Sequence, residues 1–197
     1  MQTPKWKLFA ALWAYTLFCW VFPYMLHRGN GFDVTDAFSG YPWNFSPFYA
    51  VSLFGGAYFG RRWLACLWPV AAYLATNLAI WAITGRADWA FIPEVWANYV
   101  LFSLIPVFGF GLGHTTAPLI PALWRGFSAS LMFFLASNFV CFLASYPQTF
   151  AGLIDCYYMA LPFYGPTVAS TMFFTLLLFN SIGVRMAEQV IVARDRF

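Results

Sequence analysis

Charge is what this sequence has least of. Only 9% of its 197 residues are charged and 62% are apolar, against roughly 25% charged in a soluble domain. So few charges cannot coat a water-facing surface, which excludes a soluble globular enzyme and a disordered chain. The four cysteines, Cys19, Cys66, Cys141 and Cys156, form no C-x-x-C pair. They read as small buried hydrophobes, not as the frame of a disulfide-built secreted domain. There is no P-loop, no Rossmann fingerprint and no haem motif. His27 and His114 flank different apolar runs and cannot share a metal. Ser128 and Ser130 have no histidine or carboxylate nearby in the sequence to complete a triad. No catalytic residue, metal or cofactor is therefore expected. Ten basic against seven acidic residues leave a charge of +3, without the basic stripe of a nucleic-acid binder.

What the chain does have is long apolar runs. About 20 such residues cross a bilayer as a helix. The runs Leu8–Leu26, Pro47–Gly60, Trp63–Thr84, Val95–Gly113, Phe127–Tyr146 and Pro166–Val184 predict a bundle of six transmembrane helices in one domain, residues 1–197. Gln148–Leu161 carries Asp155 and ends at Pro162, so it reads as a short helix on the outer surface. Lys5 and Lys7 precede the first run as in a signal peptide, but no small-x-small site follows, so a retained helix is expected.

Loop charge orients this bundle. Both termini on one side puts Lys5, Lys7, Arg61, Arg62, Arg125, Arg185, Arg194 and Arg196 together, eight of the ten basic residues. Only Arg28 and Arg86 fall on the other side. The positive-inside rule then makes the termini cytoplasmic and the chain a multi-pass protein of the bacterial inner membrane. No charge lies deep in an expected span, which disfavours a proton pump or a carboxylate-lined cation path.

Leu74-Ala75-Thr76-Asn77 recurs 61 positions later as Leu135-Ala136-Ser137-Asn138. At the same offset Glu94 meets Asp155, Trp96 meets Tyr157 and Phe102 meets Phe163. Such repeats build many transporter folds. Asn77 stands about 22 Å along its helix from Arg62, and Asn138 about 20 Å from Arg125. With Asn44 on the same side, three amides reach a similar depth in the outer half. An amide facing lipid is costly unless it finds a partner. Each could simply bond a neighbouring helix. Alternatively the three share a pocket open to the outside, rimmed by Trp43, Trp96, Asn98, Tyr99, Tyr157 and Tyr158. There rings would stack on a flat small molecule and amides would orient it.

Asn44-Phe45-Ser46-Pro47, the run Leu53-Phe54-Gly55-Gly56-Ala57-Tyr58-Phe59 and Arg61-Arg62 resemble a family of bacterial membrane proteins described as transport proteins. Pro69, Phe133-Phe134, Ser137-Asn138-Phe139, Tyr146-Pro147, Cys156-Tyr157 and Leu161-Pro162-Phe163 extend the resemblance over roughly residues 40–180. At Asn77 that family more often has aspartate. The family is distantly similar to the S components of energy-coupling-factor transporters, six-helix subunits that capture small ligands outside and work with a separate ATPase module. The resemblance implies a substrate-binding subunit for uptake of a small molecule, in contact with membrane lipid and an energising partner. Met1-Gln2-Thr3-Pro4 lacks the N-terminal histidine motif of the metal-binding S components. The alternative is a non-catalytic accessory subunit of a larger membrane complex. The G-x-x-x-G pairs Gly56/Gly60 and Gly109/Gly113 let helices pack closely inside the chain, or, in the accessory role, would serve partner helix packing.

Overall fold

A computed structural model describes residues 5–34, 44–115 and 118–180, with side chains from Ala10 onward. Every regular element among them is helical: α1 Lys5–Asn30, α2 Phe48–Tyr58, α3 Arg62–Thr84, α4 Ala87–Ala90, α5 Val95–Leu104, α6 Leu119–Ser145 and α7 Phe150–Phe179. Among the described residues, Arg62–Thr84, Ala87–His114, Leu119–Ser145 and Phe150–Phe179 are long and apolar enough to cross a membrane. The surface agrees with lipid as the solvent. Trp63, Trp81, Trp124, Leu143, Ile154 and Leu177 all point outward and are exposed, an inverted pattern that water would not tolerate.

The short helix α2 is the hub. Eleven residues span about 16 Å, half a bilayer core, so the helix formed by the run Pro47–Gly60 is by itself too short to cross the membrane. It is apolar all round, as a helix with no solvent face must be: Phe48, Ala50, Val51 and Leu53 are fully buried. It packs against α1, α3, α6, α7 and the turns that follow α5. A ring cluster caps its first turn. Phe48 lies 4.5 Å from Trp20 and 4.6 Å from Phe102. Phe102 in turn stacks on Phe133 at 4.4 Å and 2°.

Close backbone approach locks α2 in place. A Cβ on Gly56 would lie 1.9 Å from the Pro106 carbonyl oxygen, and one on Gly109 2.1 Å from that of Leu53. A Cβ on Gly113 would lie 2.6 Å from the Ala57 oxygen. These glycines serve packing inside the chain, not the docking of a partner helix, and Gly60 lies exposed in the turn beyond α2.

Two expected spans change form. Val95–Gly113 is α-helical only to Leu104 and continues as 3-10 turns at Ile105–Gly109 and Leu112–His114. Pro106 has no N–H to give the helix, and Gly111 turns the backbone at φ +82°. The carbonyls left over are gathered by Arg125, whose guanidinium donates to Phe110 O at 2.8 Å and to Phe108 O at 3.3 Å. The second correction concerns Gln148–Leu161 and Pro166–Val184, which are not separate elements. Phe150–Phe179 is one helix of thirty residues running through Pro162 and Pro166. Just beyond them Thr167 donates to Phe163 O, and Ser170 and Thr171 donate to Thr167 O. The residues of the expected span beyond Asn180 lie outside the described ones.

Arg62 sits over the Phe110 ring at 5.1 Å, and Arg125 holds the Phe110 carbonyl. The starts of α3 and α6 thus share one end of the bundle. At the other end Ser145 donates to Glu94 and Arg28 donates to the Ile83 carbonyl near the end of α3. Helices α3 and α6 therefore run parallel, carrying their matching Thr/Ser-Asn pairs to the same level.

Candidate functional site

Above the first turn of α2, on the Glu94 side, the bundle encloses a cleft of about 380 Å³. It lies beyond the first turn of α2, and among the described residues α1, α3, α4, α5 and α6 supply its walls. Asn44, Asn77, Asn98 and Asn138 all line the cleft, from four separate segments of the chain. Asn44 is placed by the turn before α2, where it adopts φ +63°. Asparagine tolerates that left-handed conformation better than most residues.

Two amide–phenol pairs stitch α3 to α5. Asn77 is 2% exposed and its Nδ2 donates to the Tyr99 hydroxyl at 3.0 Å. Asn98 Nδ2 donates to the Tyr73 hydroxyl at 3.3 Å. The two phenol rings meet edge-on at 5.2 Å. On α6, Asn138 Nδ2 donates back to the Phe134 carbonyl at 2.7 Å. Thr76 donates to Ala72 O. At the mouth, Glu94 precedes α5 and accepts from Ser145 Oγ at 3.0 Å. Rings form the inner wall: Trp20, Tyr24, Tyr73, Trp89, Phe102 and Phe133. The Trp20 indole N–H is buried without a hydrogen-bond partner among the described residues.

The expected rim is only partly assembled. Asn98 lines the cleft, and Tyr99 stands behind Asn77 as its hydrogen-bond partner. Trp96 and Tyr158 instead face outward, 63% and 64% exposed. Tyr157 belongs to the α6–α7 contact, where its hydroxyl donates to Leu135 O at 2.6 Å. Trp43 lies outside the described residues. Sequence reasoning missed Tyr73, Thr76, Trp20 and Ser137 on the lining, and gave Glu94 no place there. A signal for Tyr73 was present: it lies four residues before Asn77 and so on the same helix face.

A helical membrane bundle with a half-polar cleft at one end is the class that fold and site define. Residues 2–192 match the family of unknown function DUF6580, and the chain belongs to that family. No curated protein and no solved structure matches it.

Proposed function

We propose that the chain is a substrate-binding subunit of a membrane transport system, similar in layout to the S components of energy-coupling-factor transporters. It crosses the bacterial inner membrane six times, counting the broken α5 segment and α2 with its flanking turns, and keeps both termini in the cytoplasm. The Arg62–Arg125 end faces inward, as the excess of basic residues requires. The cleft then opens toward the outside. One observation carries the reading: four asparagines from separate segments converge on one cavity of about 380 Å³. That size suits a small molecule, and amides are costly to place in lipid for packing alone. Active uptake would draw its energy from a partner or an ion gradient, since the sequence carries no nucleotide-binding motif of its own. The glycines that argued for an accessory subunit are accounted for by packing inside the chain.

Native mass spectrometry after gentle solubilisation tests this. A small-molecule mass should accompany the wild-type chain and be lost from Asn77→Leu. Recovery only as a fixed-stoichiometry complex with larger subunits, with no small-molecule mass, would favour the accessory role. Thiol labelling of Cys placed at Arg61 and Arg125 should report the same side of the membrane.

A further inference from the structure

We propose that the cleft selects a small organic cation. The inference rests on the cleft being a ligand site and names the chemistry of its occupant.

Charge comes first. Among the described residues lining the cleft there is no lysine, arginine or histidine, and Glu94 is the one charged group. Ser145 holds Glu94 through Oε1 at the mouth. Arg86, 4.3 Å over the Trp89 ring, is already paired with Asp88 at 2.6 Å, so an anion entering here would meet a carboxylate and no free counter-charge on the described lining, in a wall of rings that solvates charge poorly. A cation would meet that carboxylate and the faces of aromatic rings, which attract positive charge.

The hydrogen-bonding groups of the lining can receive such a ligand. Asn77 and Asn98 each give one amide N–H to a phenol, and Asn138 gives one to a backbone carbonyl. Their carbonyl oxygens stay open to a ligand N–H, while each amide keeps a second N–H of its own.

Three near-isosteric probes separate these demands: benzamidinium (flat cation with N–H donors), benzamide (flat, neutral) and benzoate (flat anion). Binding is measured by calorimetry on the full chain in nanodiscs. Benzamidinium should bind at least tenfold more tightly than benzamide, and benzoate should not bind measurably. Glu94→Gln should bring benzamidinium down to the level of benzamide. Asn77→Leu should weaken both. Benzoate binding as well as benzamidinium, or a cation preference surviving Glu94→Gln, overturns the cation assignment while the cleft remains a ligand site. If no probe binds, or all bind equally in wild type and Asn77→Leu, the cleft reading itself fails and this inference with it. The wild-type series decides the charge preference even if a variant does not fold.

Discussion

The two halves of this bundle meet the same constraint in opposite ways. Within lipid every backbone polar group must find a partner inside the protein. Toward Arg62 the solution is dense. Gly56, Gly109 and Gly113 let α2 and the 3-10 turns touch backbone to backbone, and one arginine collects the carbonyls that the broken helix leaves over. Toward Glu94 the helices are regular and satisfy themselves, so side-chain amides are free to line a cavity. The end of α2 is the border. A half-length helix packs one half of the bundle, and among the described residues the other half encloses the cleft. Rigidity in the first half gives the second a fixed floor of rings on which a ligand can be oriented.

The largest effect should come from crowding the dense half. Gly56→Ala puts a Cβ against the backbone oxygen of Pro106, which cannot move aside as a flexible side chain would. Loss of about 3 kcal/mol or more is expected, measured by unfolding in mixed micelles. Gly165→Ala is the control, since a Cβ there meets nothing within 4 Å, and it should shift stability by no more than about 0.5 kcal/mol. Equal effects would break the contrast between the halves.

Next in size is Arg125→Met, which keeps the bulk of the side chain and strips the charge-assisted bonds from Phe108 and Phe110. A loss of about 1.5–3 kcal/mol is expected on unfolding. Retained stability would mean that water, and not Arg125, satisfies the broken segment.

In the open half stability and binding should separate. Asn77→Leu removes the bond to Tyr99, and interhelical bonds in membranes average about 0.6 kcal/mol. Unfolding should therefore move little, while ligand retention falls at least tenfold, about 1.4 kcal/mol. A large stability loss with binding intact would turn Asn77 into a structural bolt.

Much of this contrast was legible in the sequence, for identifiable reasons. The runs that became α1, α3 and α6 are long and uninterrupted, so hydropathy locates them, though α6 begins at Leu119, ahead of the expected Phe127. The shared level of Asn77 and Asn138 followed from helical rise and from the arginines that start both runs. Proline misled at α7 because its cost is set by the surroundings: Phe150–Phe179 is packed along α6 and α2 and continues through Pro162 and Pro166. The break after Leu104 was hidden because its carbonyl partner, Arg125, lies 15 residues from Phe110 in sequence.

Helix rotation was the part sequence reasoning neglected, and it supplies the smallest expected effect. Two residues apart on a helix means about 200° of rotation, so Trp96 and Asn98 cannot face the same space. The structure has Asn98 on the cleft and Trp96 63% exposed. Trp96→Ala and Tyr158→Ala should leave unfolding within about 0.5 kcal/mol of wild type and probe affinity unchanged, whereas Asn98→Ala should weaken binding. If Trp96→Ala weakened binding as much as Asn98→Ala, the cleft would have to reach around α5 to its lipid face. The separation of a dry half from a ligand-bearing half would then no longer follow from where α2 ends.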